Sequence, residues 1–159
     1  MRFCPHCAAP LIPRRTDSAQ RLACKAECGY VFWDNPVPVL AAVIEHEGLV
    51  LLARNKNWPD GMFGLVTGFL ERDETPEQGV LREVEEEIGI AGELVAPIGN
   101  YAFSSQNQII LAYHVRTAGS IHLGDELADY RLIEPVRVRP WDFGTGPALR
   151  DWLARRLGE

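Results

Sequence analysis

The chain has 159 residues, of which 47% are hydrophobic and 24% charged, a composition that suits one main folded domain and a small appendage. Its net charge of −6 disfavours broad, salt-driven binding to nucleic acid or anionic membranes, although a local basic patch stays open. No apolar run reaches the roughly 18 residues of a membrane helix, and the opening MRFCPHC lacks the apolar core of a signal peptide. We therefore expect a cytoplasmic protein that does not bind membranes.

All four cysteines lie near the start of the chain, in two close pairs. Two residues separate Cys4 from Cys7, three separate Cys24 from Cys28, and sixteen lie between the pairs. This spacing is typical of a structural Zn²⁺ site, in which four thiolates surround the ion. Because so short a segment buries little apolar surface, zinc would also supply the free energy that folds it.

Two other interpretations of the cysteines remain at this point. They could form disulfides, which a reducing compartment disfavours, or be unpaired small hydrophobic residues, which the paired spacing disfavours. His6 lies inside the first pair, where it is either a second-choice ligand or a solvated side chain.

The composition changes at WDNPVPV, Trp33 to Val39, where two prolines favour an extended connection. We place a zinc ribbon at residues 1–35 and the main domain at 36–159.

The main domain alternates strand patterns with two helix patterns. Apolar runs predict strands in VLAAVIE and LVLLARN, joined by an HEG turn and followed by the NWPDGM loop. Thr75 with Pro76 predicts a helix start, and Gly89 predicts its end. Further strands are predicted in ELVAPIGNYAF, QIILAYHVR and YRLIE, and an amphipathic helix in TGPALRDWLARRL. Interleaved strands and helices predict an α/β or α+β sandwich with a mixed sheet.

The first of these helices carries four glutamates in LREVEEEIG. At about 100° per residue from Val80, the apolar side chains span about 0–100°, whereas Glu83, Glu86 and Glu87 fall at about 240–340°. Glu85 falls at about 140°, away from the other three. The run therefore separates into a three-carboxylate face and one bystander.

Three carboxylates on one helix face favour a hard-oxygen site for Mg²⁺ or Mn²⁺, completed by water and substrate phosphate. The cation would relieve a repulsion of roughly 0.2–0.5 kcal/mol between like charges four residues apart, such as Glu83 and Glu87. A solvated acidic helix face explains the nonapeptide equally well. The stretch alone leaves both interpretations open.

The wider spacing resembles the Nudix box in full. From Gly68 the chain has five residues, Glu74, seven residues, and then REVEEEIGI. The resemblance identifies the chain as a member of the Nudix hydrolase superfamily, over roughly residues 39–157. It implies an α/β/α sandwich in which Glu83, Glu86 and Glu87 bind the metal. The Gly68 carbonyl would be a further ligand, and Glu74 and Arg82 would orient the glutamates.

A zinc ribbon directly before such a domain resembles the NADH pyrophosphatase branch and its shorter relatives. FCPHC, CGYVFWDNP and LVTGFLE carry this likeness. That branch has a Ser-Gln-Pro-Trp-Pro-Phe-Pro-x-Ser sequence after the box, whereas this chain has NYAFSSQNQ, with neither proline nor tryptophan. The short relatives are associated with ADP-ribose, FAD or related dinucleotides, and this substrate class is expected here.

Four further residues are candidates for substrate binding or catalysis. By the same resemblance, Glu126 is a candidate base or metal contact, and Arg54 a candidate phosphate contact. Ordinary surface charges explain both as well. Tyr101 and Phe103 alternate along a predicted strand, so that both could stack on a base or flavin ring, and core packing is the alternative for at least one of them.

The predicted function is Mg²⁺-dependent hydrolysis of a dinucleotide pyrophosphate into two phosphomonoesters. Within the same enzyme class, the alternatives are a nucleoside triphosphate hydrolase or an NAD-cap RNA hydrolase. A different class is a non-catalytic regulator whose ribbon binds nucleic acid, although the intact box disfavours it. Relatives with this ribbon are often dimers, so a homodimer is also open.

Overall fold

The computed structural model describes residues 1–16 and 19–158. Asp17, Ser18 and Glu159, which fall within the predicted domains, lie outside the described residues. The chain divides into two compact units, Met1–Asn35 and Pro36–Glu159. Each unit forms its own sheet.

The N-terminal unit is a three-stranded antiparallel sheet in the order β1-β2-β3, formed by Leu11–Arg15, Gln20–Cys24 and Val31–Phe32. Among its described residues the buried hydrophobic side chains are Cys4, Ala23 and Cys24. A core of that size stabilises little, because apolar burial contributes roughly 25 cal/mol per Å². Hydrophobic burial alone therefore gives this unit little stability.

The larger unit is organised by a six-stranded mixed sheet. The strands follow the order β7-β8-β4-β5-β9, and β6 also pairs with β4. Only the β4–β8 pair is parallel among the pairs of this sheet that the structure describes. The strands are β4 (Val37–His46), β5 (Leu49–Asn55), β6 (Val66–Phe69), β7 (Glu93–Phe103), β8 (Gln108–Thr117) and β9 (Leu127–Ile133).

Two helices cover the two faces of this sheet. Alternate residues of β4 point to opposite faces, as the strand period of two requires. Leu40 and Ile44 pack with α1 (Pro76–Ile88), whereas Ala41 and Val43 pack with α2 (Gly146–Leu157). The predicted sandwich with a mixed sheet is confirmed. Neither of the two α-helices in the described part of the chain has the length and hydropathy needed to cross a bilayer.

The ends of α1 form as the sequence predicts. The Thr75 hydroxyl accepts a hydrogen bond from the Gln78 amide, and the Gln78 side chain accepts one from the Thr75 amide. This reciprocal arrangement is a capping box. At the other end Gly89 has a left-handed backbone with φ 68°, and its amide donates to the Glu85 carbonyl. The helix register, and with it the direction of each glutamate, is therefore fixed by local interactions.

The sequence did not indicate a partner for His114, and the structure provides one. Its Nε2 lies 2.9 Å from Oε2 of Glu45, whose other oxygen accepts from Arg156 of α2 at 3.2 Å. The imidazole also meets the Trp152 ring edge-on at 5.2 Å. This buried network joins β8, β4 and α2. Burial lowers the pKa of His114 from its ordinary value of 6.5, despite the opposing effect of Glu45.

We expect this network to make stability depend on pH in a defined window. Below about pH 6.5 the unfolded chain protonates His114 while the folded chain resists protonation, so the unfolding free energy falls as pH falls. His114→Gln should remove that part of the slope. Chemical denaturation from pH 7.5 to 5 on both proteins measures the difference. Parallel slopes for the two proteins would contradict the assignment.

Candidate active site and metal centre

The four cysteines converge on one point in the N-terminal unit. Their Sγ atoms all lie within 4.8 Å of one another, with Cys4 3.5 Å from Cys28 and Cys7 3.4 Å from Cys24. The pKa values of the clustered thiols shift in opposite directions: a backbone hydrogen bond from Cys28 lowers the pKa of Cys24 to about 6, whereas for Cys28 the lowering effect of the Tyr30 amide is outweighed by thiol contacts with Cys24 and Cys4, which raise its pKa to about 12. Four converging sulfurs match a tetrahedral structural zinc site. The His6 ring instead packs edge-on against Tyr30.

The α1 glutamates differ in their surroundings. Glu83 and Glu87 are half-buried, and Glu86 is exposed beside them. Glu85 is also exposed, and the Arg82 ion pairs with Glu83 and Glu86 do not include it. This matches the separation expected from the helical wheel. The metal-binding roles of Glu83, Glu86 and Glu87 remain predictions.

Gly68 provides the space in which the Glu83 carboxylate lies. The residue sits in β6 opposite Leu40 of β4, on the sheet face that α1 covers. A Cβ at Gly68 would lie 1.7 Å from Cδ of Glu83 and about as close to both carboxylate oxygens. Any larger residue must therefore displace Glu83.

We expect Gly68→Ala to lower the unfolding free energy by roughly 0.5–1.5 kcal/mol, because the Glu83 carboxylate can rotate away but then loses its hydrogen bond from Arg82, and to reduce turnover at least tenfold by displacing Glu83. Denaturant titration measures the first effect and steady-state kinetics the second. In a Glu83→Ala background the same change should cost little stability, because the clashing carboxylate is gone. Equal costs in the two backgrounds would show that the steric contact is unimportant.

Arg82 links the acidic residues to one another and to β6. Its Nε and Nη2 donate to the two oxygens of Glu74 at 3.0 and 2.8 Å, and Nη2 also donates to the Phe69 carbonyl at 3.1 Å. Its Nη1 donates to one oxygen each of Glu83 and Glu86, at 2.8 and 3.0 Å. These bonds lower the pKa of Glu74 to about 2 and raise that of Arg82. Arg82 therefore holds Glu83 and Glu86 while leaving one carboxylate oxygen of each unbonded to it.

Glu87 and Glu126 both line a small crevice. The crevice measures about 30 Å³, enough for a water or an ion, and Asn55, Trp58 and Thr67 also line it. Burial, and then the charge of Glu126, raise the pKa of Glu87; burial likewise raises that of Glu83. Oε2 of Glu87 is buried with no hydrogen-bond partner among the described residues. Such an atom is costly unless a cation or water meets it.

The glutamate carboxylates suit a hard divalent cation, although in the structure their oxygens do not converge on one position. Within residues 1–16 and 19–158, the cysteines are the only ligand group that already converges. The acidic site nevertheless offers several carboxylate oxygens, which are donors that Mg²⁺ and Mn²⁺ prefer. The partnerless oxygen of Glu87 and the space at Gly68 are the structural observations that support a cation there.

A larger apolar cavity adjoins the crevice on the α2 side of the sheet. It has a volume of about 690 Å³. Its aromatic lining comes from β7 and from the loops before β6 and α2: Trp58, Phe63, Phe103, Trp141 and Phe143. Four of these five were missed from the sequence, because loop residues far apart in the chain carry no periodic pattern. Their one sequence signal is the presence of large aromatic residues among turn-forming residues.

The structure separates the remaining candidate residues. Phe103 lines the aromatic cavity, whereas Tyr101 packs against the α2-side core and its hydroxyl donates to Asp151 at 2.6 Å. Burial and that bond raise the pKa of Tyr101 to about 12. Arg54 forms a 3.2 Å ion pair with Asp60. Substrate contacts for these residues stay predictions.

Both a family model and a curated protein match this chain over most of its length. The family model for the NUDIX domain matches residues 34–154. A NAD-capped RNA hydrolase NudC from Stutzerimonas stutzeri is 28% identical over 162 residues, covering 99% of this chain and 58% of that protein. The chain thus spans less than two thirds of that relative.

Solved structures share the fold. A NUDIX hydrolase from Nitrosomonas europaea superposes with a TM-score of 0.83 at 24% identity, covering 100% of this chain and 94% of the other. An ADP-ribose pyrophosphatase from Streptococcus suis superposes with a TM-score of 0.64 at 20% identity, covering 77% and 92%. At these identities the likeness establishes the fold alone.

Proposed function

The chain belongs to the NUDIX family, and from that premise we propose that it is a Mg²⁺-dependent hydrolase of phosphoanhydride bonds in nucleoside diphosphates linked to another moiety. The observation that supports it is Oε2 of Glu87, which is buried with no hydrogen-bond partner among the described residues. Glu87 lines one crevice with Glu126 and lies on the helix that also carries Glu83 and Glu86. An acidic surface helix with no ligand would be expected to leave its carboxylates in water.

In this proposal the Mg²⁺ or Mn²⁺ ion would be held by Glu83, Glu86 and Glu87, and the Gly68 carbonyl would be a further ligand. Arg82 positions Glu83 and Glu86 through its 2.8 and 3.0 Å hydrogen bonds. Glu74 in turn positions Arg82 from the start of the helix. When bound, the cation neutralises phosphate charge and acidifies a coordinated water.

The protein groups then have distinct tasks in the hydrolysis. Glu126 and Glu87 line a crevice with room for one water, and either carboxylate can accept its proton. The water oxygen forms a bond to one phosphorus as the bridging P–O bond breaks. The bridging oxygen leaves with the other phosphate, so that the products are two phosphomonoesters. The apolar walls beside the crevice exclude competing water from the reacting atoms.

The cavity beside the acidic site supports a substrate that carries an aromatic ring. Among the residues that the structure describes, its lining includes no lysine, arginine or histidine, so it suits a neutral or cationic ring better than a phosphate. ADP-ribose, FAD and NAD(H) all have a ring on one side of a diphosphate. The name of the Stutzerimonas stutzeri relative favours a second candidate, a NAD-capped RNA.

A substrate panel tests this proposal and distinguishes its alternatives. Purified protein is incubated with ADP-ribose, NADH, FAD, the nucleoside triphosphates and NAD-capped RNA, with and without Mg²⁺. We expect Mg²⁺-dependent release of monophosphates from at least one diphosphate-linked dinucleotide. Turnover of triphosphates alone would overturn the substrate class.

For the N-terminal unit we propose a structural role, in which residues 1–35 form a zinc ribbon and residues 36–159 carry the catalysis. The convergence of Cys4, Cys7, Cys24 and Cys28 supports zinc as the ligand. The shortage of buried apolar side chains supports zinc as the source of stability.

A further inference from the structure

Trp58 forms a wall that the acidic crevice and the aromatic cavity share. On one side it lines the crevice with Glu87 and Glu126. On the other it lines the cavity with Trp141 and Phe103. Leu65 and Thr67 also line both spaces, so a substrate with its diphosphate in the crevice and its ring in the cavity would cross a boundary made by these three residues, of which Trp58 alone has a ring.

The indole is held in place by its own loop. Gly64 lies directly against it, and a Cβ there would come within 3.0 Å of both Cζ3 and Cη2 of Trp58. Gly64 is itself fixed to β5, because it exchanges two 2.9 Å backbone hydrogen bonds with Ala53. The Trp58 amide donates to the Asn55 carbonyl at 3.0 Å. The loop that carries the indole is therefore hydrogen-bonded to β5 at both of its ends.

The rest of the cavity lining has few polar side chains that could orient a ligand. Among the described lining residues, the polar side chains are Asp60, Thr67, Gln108 and Thr145. Asp60 is paired with Arg54 at 3.2 Å. With so few polar contacts, stacking and shape decide which ring is accepted and how deeply it enters.

We propose that Trp58 is the specificity-determining residue of this site, stacking on the aromatic ring of the substrate and setting its distance from the phosphoanhydride. The inference rests on the hydrolase function proposed above, and it adds the residue that selects a ring-bearing substrate. The ligand class is a planar neutral or cationic ring joined through a sugar to a diphosphate.

Binding of ADP-ribose without added divalent metal tests the stacking contact separately from catalysis. Calorimetric titration of Trp58→Leu should show a Kd at least about tenfold higher than wild type, as expected for a lost base–aromatic stack. Trp58→Phe, which keeps a ring, should recover most of the affinity. Gly64→Ala, which displaces the indole without removing it, should weaken binding in the same direction. Trp33→Leu, a change at an exposed tryptophan of the N-terminal unit, should leave Kd unchanged.

Kinetics then separate specificity from a merely structural effect. Trp58→Leu should raise KM for ADP-ribose about tenfold or more while kcat stays within a few-fold, because the acidic residues are untouched. If wild type binds ADP-ribose through Trp58 and hydrolyses nothing, the hydrolase proposal fails and the binding assignment stands. Wild type that binds neither ADP-ribose, NAD⁺ nor FAD, or a Trp58→Leu protein with wild-type Kd, would overturn the inference.

Discussion

Replacing Glu86 or Glu87 by glutamine should lower kcat for the accepted substrate by about 10²–10⁴-fold, the range for losing a group that stabilises charge or transfers a proton in the transition state. Glutamine keeps the shape of the side chain but removes the negative charge that attracts a divalent cation. Steady-state kinetics at saturating Mg²⁺ measure the loss. Thermal unfolding should stay near wild type, because neither carboxylate carries the hydrophobic core.

Glu85→Gln is the matched control for this result. The residue lies in the same run of glutamates, but it is exposed and on another side of α1. Its replacement should leave kcat and KM within about twofold, as for a surface change away from the site. If Glu85→Gln were as damaging as Glu86→Gln, the assignment of the catalytic helix face would be wrong.

Replacing Cys24 by serine should abolish zinc binding and unfold the N-terminal unit. Cys24 is 2% exposed and is one of only three buried hydrophobic residues in the described part of that unit. Structural zinc supplies about 10–16 kcal/mol of apparent binding free energy in small zinc-dependent folds, far more than so small a core. Hydrogen exchange should show β1 and β2 losing protection, and atomic emission should show zinc falling from one per chain to none.

His6→Ala is the control for the zinc prediction. The histidine lies between two cysteines in the sequence, but its ring packs on Tyr30 instead of joining the sulfur cluster. The variant should keep one zinc per chain and protected amides. A Cys24→Ser protein that retained stoichiometric zinc and protected strands would contradict the assignment of the ligands.

Local signals explain why α1 could be predicted so closely. Thr75, Pro76 and Gly89 act on the backbone within one turn, so the sequence alone determines both helix ends. The order of the glutamates around the helix then follows from its period. Strand bounds were less well predicted: β4 starts at Val37 rather than Val39, and β9 covers Leu127–Ile133 instead of YRLIE. Pairing with neighbouring strands extends both beyond their apolar patterns.

Long-range contacts explain what the sequence did not reveal. Glu45 and His114 are 69 residues apart and meet because β4 and β8 pair in parallel. Trp58 and Trp141 likewise come from separate loops and share one cavity. No periodicity links such residues, because their proximity depends on strand order. The family resemblance drew attention to the acidic residues of α1, and the three-dimensional structure revealed the aromatic-lined cavity next to them, for which we propose ring binding.

The central claim, metal-dependent cleavage of a diphosphate between two organic groups, is tested most directly by following ADP-ribose by chromatography as Mg²⁺ is added. We predict that AMP and ribose 5-phosphate appear in equal amounts, that their rate rises with Mg²⁺ and saturates, and that Glu87→Gln produces neither at a comparable rate. Absence of any Mg²⁺-dependent product from ADP-ribose, NADH and FAD alike, in protein that retains its fold, would contradict the account.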